Sequence, residues 1–396
     1  MALKNGFIKA TKKLEKGTDV IDFSDASYAD ARDKYLVSLA FYNIASLVFG
    51  KNNMGKIEEF LKTFKAKTRI KTYPYDSKDS KYIGAAKGVR GICHYGDDLE
   101  KIVYRWLDGD INPVKGEKLE IELLGFSNNP RNSRFLEHAA THEFFHAFNI
   151  LLSDDTTMEK NGVWYRNMGS NIMASDKTRE KNVVAYGKCF TETFTDIMTT
   201  VALNINGAGG HNINVDKILK SRQAEQGEPV TGYTVVRSLT RLMIAAFSNV
   251  PDISYQDIID KGYGIFNINV AGKDYKANDF LYGMMYNPLH IETKFDEIAG
   301  NGKYQQFCKS LDKAFMADKK TLAKPESIHS FMMALAEFVN KRMAVYIKRG
   351  KITEAEANKI ISNFNEVFNS MQQEYSAYIN QQDLVSLKNN ANKYRS

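Results

Sequence analysis

The sequence predicts an α+β protein: a small mixed sheet and an apolar helix in the first half, packed on a mainly helical second half. Three observations predict it. Short alternating or β-prone segments cluster between Thr68 and Phe126. From Asn132 the apolar residues switch to three- and four-residue spacing, the period of a helix. The chain then ends in two long amphipathic runs separated by a glycine, the pattern of a helical hairpin.

Taken in order, residues 1–26 are polar and aperiodic and read as an N-terminal arm. A helix is expected from about Ser27 to Phe49, stopped at Gly50, because a residue without a Cβ accepts the left-handed conformation that ends many helices. Its stretch from Tyr35 to Gly50 carries no charge, but it falls short of the roughly 20 apolar residues that cross a bilayer. It also contains Ser38, Asn43 and Ser46, so it reads as a core helix. A short helix is expected over Lys56 to Phe64. Strands follow: Thr68 to Tyr73 alternates, Val89 to Tyr95 is β-prone, and Leu119 to Phe126 is apolar with Glu120 and Glu122 on one side.

Asn128, Asn129 and Pro130 break the chain before the helical run, in which Phe135, Leu136, Ala139, Ala140, Phe144, Ala147, Phe148 and Leu151 recur on one broad face. A polar loop is expected from Ser153 to about Arg179, a second helix over Val183 to Leu203, and a glycine-rich break at Gly207, Gly209 and Gly210. Beyond it the chain reads as mostly helical, with runs at Val235 to Phe247 and Asp279 to Met285. The final hairpin has one arm from about Glu326 to Arg349, stopped by Gly350. The other opens with Thr353 and Glu356 at the reciprocal capping spacing and places Ile360, Phe364, Val367, Phe368, Met371, Tyr375 and Tyr378 on one face. The expected units are the arm (1–26), a first subdomain with the sheet and apolar helix (27–160), and a mainly helical second subdomain (161–396).

Composition narrows the function classes. With 396 residues, 43% hydrophobic and 26% charged, the chain has the balance of a folded globular protein. Its 26 Gly, 7 Pro and 3 Cys exclude collagen-like and disulfide-scaffold classes; Cys93, Cys189 and Cys308 read as free thiols of a reducing compartment. The net charge of +7 is dispersed. A nucleic-acid surface needs a clustered stripe, so none is expected, and Lys62, Lys65, Lys67 and Lys71 read as a solvated face. The segment Met1 to Phe23 has no apolar stretch like that of an export signal. The expectation is a cytoplasmic protein when made, without a membrane span; association with a virion, or release by lysis or a dedicated secretion system, would leave no mark in the sequence and stays open.

The chemistry sits on the apolar helix, in His142-Glu143-Phe144-Phe145-His146. Two histidines four apart share a helix face, so both imidazoles can reach one metal ion. Glu143 follows the first and can take a proton from a water at that ion. A catalytic zinc needs a third protein ligand and an open position. The spacing HExxHxxGxxH would put Gly at 149 and His at 152, where the chain has Asn149 and Leu152. Asp154 or Asp155 could reach back from the loop. The stronger candidate is Glu192, four before Asp196 on a helix otherwise lined by Phe190, Phe194, Ile197, Met198 and Val201. Two carboxylates inside an apolar helix need partners, and a metal for one and a histidine N–H for the other would supply them. His138, one turn before His142, reads as structural. Asn171-Ile172-Met173 invites comparison with a Met-turn, but without a third histidine a plain loop that packs Met173 is expected.

Together these residues resemble the gluzincins, the thermolysin-like branch of zinc peptidases. The second segment is similar to the E-x-x-T-E/D helix of bacterial and phage zincins with a long spacer. Glu192, Thr195 and Asp196 stand at those positions, while Thr193 replaces the usual Gly and Thr191 the common Asn. The likeness covers roughly residues 115–205, with 45 residues between His146 and Glu192. It implies a zincin-like fold and a zinc ion held by His142, His146 and Glu192. It also implies Glu143 as general base toward a zinc-activated water and Asp196 as the group that orients a ligand histidine. The donor to the oxyanion would come from the helical half; Tyr233 is the first choice, with Arg237, His211, Tyr286 and His290 as alternatives. The substrate would be a protein or peptide whose backbone pairs with Leu119–Phe126 as an edge strand. The competing readings are a structural or assembly subunit, for example of a phage particle, that keeps the fold with or without its metal, and an effector delivered into another cell.

Overall fold

The computed structural model describes residues 31–50, 53–73, 91–94, 118–124, 133–153, 157–160, 163–168, 171–176, 183–187, 191–192, 194–195, 198–199, 202–203, 212–214, 241–247, 267–270, 273–275, 287–317 and 325–393. The expected arm (1–26) and the expected helix Asp279 to Met285 lie outside these residues.

Helix α1 (Ala31–Phe49) buries Val37, Ala40, Phe41, Ile44, Ala45 and Val48, and ends at Gly50, whose φ of 83° is the left-handed value the sequence anticipates. Helix α2 (Met54–Lys67) turns Ile57, Phe60 and Phe64 inward. Phe41 meets Phe64 at 5.1 Å and Phe148 at 5.3 Å between ring centroids, which locks α1, α2 and the apolar helix α3 (Ser133–Leu152) into one core. Fully burying each such ring contributes about 1.5–3 kcal/mol. Helix α3 also buries Leu136, Ala139, Ala140, Phe144, Phe145 and Ala147, so its polar face is narrow.

The first sheet holds β1 (Thr68–Tyr73), β2 (Gly91–His94) and β3 (Leu119–Leu124) in the order β1-β3-β2, with β1 parallel and β2 antiparallel to β3. This mixed sheet beside helices fits the α+β expectation. One detail differs: β3 is central, and β2 is an edge among the described strands. Leu119, Ile121 and Leu123 are buried on one face and Glu122 on the other; burial on both faces belongs to an inner strand.

The expected polar loop contains strands. β4 (Thr157–Lys160), β5 (Val163–Met168), β6 (Asn171–Asp176) and β7 (Val183–Tyr186) form an antiparallel meander in chain order. Asn171, Ile172 and Met173 therefore lie in a strand, with Ile172 buried, and form no Met-turn loop. The expected helix Val183 to Leu203 is likewise split. Val183 and Val184 are β-branched and pair with β6, and Gly187 (φ 92°) ends the strand before helix α4, formed by Thr191, Glu192, Phe194, Thr195, Met198, Thr199, Ala202 and Leu203.

The second half is mainly helical among its described residues but includes a third small sheet. β8 (Asn212–Asn214) runs parallel to β9 (Asn267–Val270), which pairs antiparallel with β10 (Lys273–Tyr275). Helix α5 (241–247) buries Leu242, Met243, Ile244, Ala245 and Ala246. Against it pack α6 (Pro288–Ala299) and α8 (Pro325–Lys348), with α7 (Lys303–Ala317) against those two and α9 (Glu354–Lys393) against α8. The Phe295 ring stacks on Phe338 at 4.4 Å, and Phe247 joins them at 5.8 and 5.0 Å. The terminal hairpin matches its expectation closely. Gly350 has φ 65°, the Thr353 N–H donates to Glu356 at 2.8 Å and the Glu356 N–H to the Thr353 hydroxyl at 3.2 Å; Phe364, Val367 and Met371 are buried. No helix among the described residues is long and apolar enough to cross a membrane.

Candidate metal centre

Helix α3 presents His142 and His146 from successive turns, and α4 brings Glu192 opposite them. The two Nε2 atoms stand 3.1 Å apart. Glu192 Oε2 lies 3.4 Å from the first and 3.7 Å from the second. Two ligands each about 2.1 Å from a tetrahedral ion are separated by about 3.4 Å. The three spacings bracket that value, so the donors fit one tetrahedral cation as they stand. Their side chains are 14–20% exposed, so the group is neither sealed from solvent nor fully solvated. Among the described residues this is the group of His, Cys, Asp and Glu side chains that could hold a metal ion.

The charge pattern agrees. Burial alone would push the Glu192 carboxyl up, but the neighbouring His146 and His142, through charge and hydrogen bonding, hold it well below the usual carboxylate range. The site thus favours an ionised Glu192 carboxylate.

Packing on both sides keeps the donors in register. Below His142 and His146, Phe144 and Phe148 lock α3 against Phe64 and Phe41. Across the gap, Phe145 meets Phe194 of α4 at 6.2 Å. The start of α4 is fixed twice. The Thr191 N–H and hydroxyl donate to the Gly187 carbonyl at 3.0 and 3.1 Å, and the Gly187 N–H donates to Asp312 of α7 at 2.8 Å. A carboxylate from the helical half therefore anchors the turn that leads to the third donor.

Glu143 is 7% exposed and lies against β2: a Cβ built on Gly91 would come 2.7 Å from Glu143 Cγ and 3.1 Å from Oε1. Beside it, burial and the Glu143 charge push the Cys93 thiol well up, which favours its protonated form. His138 stacks at 6.5 Å on the His142 ring and is not one of the converging donors. The stripes that carry the donors continue into buried polar side chains. Asn149 follows His146 by three positions, and Thr195 and Thr199 follow Glu192 by three and seven. The Asn149 amide and both threonine hydroxyls make no hydrogen bond, a concentration of polar cost that few buried sites tolerate.

The sequence anticipates His142, His146 and Glu192, which the structure brings together, and Glu143, which follows His142 along α3 and packs against Gly91 of β2. Asp196, Asp154, Asp155, Tyr233, Arg237, His211 and Tyr286 lie outside the described residues. His290 sits in the first turn of α6, where Asn287 accepts its backbone N–H. Sequence reading passed over Gly91 and Asp312. A glycine inside a β-prone segment was the available signal for the first; no local pattern marks the second. Comparison of the chain with protein-family models, curated proteins and solved structures finds no match.

Proposed function

We propose that the chain is a zinc-dependent peptidase of the gluzincin kind, with a zincin-like arrangement of sheet and active-site helix, acting on proteins or peptides. The observation that carries this reading is the convergence of His142, His146 and Glu192 at tetrahedral donor spacing, with Glu143 directly following the first donor in sequence. Two imidazoles and one carboxylate form a donor set suited to zinc with an open position. A zinc ion held there would supply Lewis acidity, lowering the pKa of water toward about 7 and polarising a peptide carbonyl.

The remaining work falls to the chain. His142, His146 and Glu192 hold the ion from a rigid helix pair. Glu143, seated between α3 and β2, takes a proton from the attacking water and returns it to the amide nitrogen as the C–N bond breaks, since an amine leaves only when protonated. Asp196 is assigned to a ligand histidine N–H, which fixes the ring orientation, and Tyr233 to the oxyanion. The edge of β2 beside Glu143 supports a substrate bound as an extended strand, because backbone groups of an edge strand pair with any peptide sequence.

The test is to purify the chain with zinc, measure metal per chain and assay a peptide library with and without chelator. About one zinc per chain and chelator-sensitive cleavage are expected. Protein without zinc would overturn the reading. Stoichiometric zinc with no turnover would favour the structural or assembly role instead.

A further inference from the structure

We infer that Gly91 is a positioning residue for Glu143: its missing side chain leaves the space in which the carboxylate sits. The inference rests on the peptidase reading for its kinetic consequence, but the contact itself does not depend on it. Gly91 and Cys93 lie opposite Leu123 and Ile121 in the register of β2 with β3, so all four positions face the same side of the sheet, toward α3. A Cβ at 91 would stand 2.7 Å from Glu143 Cγ, 3.1 Å from its Oε1 and 3.1 Å from Leu123 Cδ2. Ordinary carbon contacts are about 3.5–4.0 Å. Leu123 can yield by turning its end, whereas Cγ is the middle of the Glu143 side chain, and moving it carries the carboxylate away.

A glycine inside a strand costs backbone entropy and needs a local reason. Close approach of the helix supplies one: β2 forms the wall behind the base, and any side chain at 91 displaces the base from the donors on the next helical positions. His142, His146 and Glu192 have no such contact with residue 91, so metal binding and base placement are separable.

Two measurements test this. First, thermal unfolding of the metal-free protein is followed for Gly91→Ala in three backgrounds. The substitution is expected to lower the melting temperature alike with Glu143 and with Glu143→Gln, which keeps Cγ. It should lower it clearly less with Glu143→Ala, which lacks it; the residual drop reports Leu123. Equal drops in all three backgrounds would overturn the inference. Should Gly91→Ala alone not fold, recovery in Gly91→Ala/Glu143→Ala supports it and failure of both overturns it. Second, Gly91→Ala is expected to bind zinc as the parent does while kcat falls by roughly 10–100-fold with little change in KM, the size expected when a catalytic group is misplaced by about 1 Å. Unchanged kcat would overturn the role. If the parent hydrolyses no peptide, the peptidase reading fails, and the unfolding series still decides whether Gly91 sets the position of Glu143.

Discussion

Two carboxylates a hundred positions apart show how differently this molecule treats the same side chain. Glu292 of α6 accepts the Tyr186 phenol at 2.5 Å, and its helical neighbour Asp296 accepts the backbone N–H groups of Gly302 and Tyr304 at 2.6 and 2.9 Å. These are neutral donors, and they do structural work by tying the meander to α6 and starting α7. Arg342 closes the same region by donating to the carbonyls of Ala246 and Phe247. Glu192 instead faces two imidazoles whose nitrogens aim at one point. A carboxylate met by hydroxyl and amide donors is a brace; one met by two histidines at ligand spacing belongs to a group that could hold a cation.

The sharpest consequence concerns zinc. Glu192→Ala should weaken zinc binding by far more than the roughly 10–100-fold typical of an outer partner, the range expected for Asp196→Asn. Glu292→Gln should leave zinc affinity unchanged. Competitive zinc titration separates them, and loss of zinc in Asp154→Ala or Asp155→Ala with Glu192→Ala intact would move the third ligand to the loop.

Next in size is Glu143, the proposed base. Glu143→Gln should keep zinc and fold yet lose about 10²–10⁴-fold in turnover, the usual worth of a positioned proton acceptor. Steady-state kinetics on zinc-loaded protein would show it.

The structural carboxylate predicts a stability effect without a metal effect. Tyr186→Phe removes the donor from Glu292 and should cost about 1–3 kcal/mol, as expected for a buried group left short of a partner, with zinc titration unaltered. Burial, then the Glu292 charge and hydrogen bond, raise the Tyr186 pKa far above its ordinary value of about 10. An acid whose folded pKa is raised confers stability that is whole below its unfolded pKa and lost as pH rises past it. Stability should therefore fall above about pH 10, and less steeply in Tyr186→Phe. Urea unfolding across alkaline pH measures this. The smallest effect belongs to Thr353→Ala, which opens the exposed capping box of α9 and should lower the melting temperature slightly, with zinc and turnover untouched.

The parts that could be read from the chain alone are those whose signal is local and repeated. Helix α3 shows its period over five turns, and the terminal hairpin announces its ends through Gly350 and the Thr353–Glu356 pair. HExxH is legible because four residues of spacing equal one helical turn. The meander was missed because β4 to β7 are short, four to six residues each, show no sustained alternation, and gain stability from pairing with each other. Its readable trace was the pair of two-residue turn sequences, Asn161-Gly162 and Gly169-Ser170, between the strands. The helix expected from Val183 was wrong for its first residues because Val183 and Val184 suit a strand as well as a core helix, and β6 was there to receive them.

Residue identity and spacing were enough to specify the α+β class, the helix that carries His142, Glu143 and His146, and the candidacy of Glu192, since each depends on a period written within a few turns of chain. The inner position of β3, the approach of Gly91 to Glu143 and the anchoring of the α4 turn by Asp312 came only with the folded chain. Those contacts join residues 52 and 125 positions apart, or rank strands by how completely both faces are covered. Nothing in local sequence encodes which distant surface will close over a residue; packing of the whole core selects it.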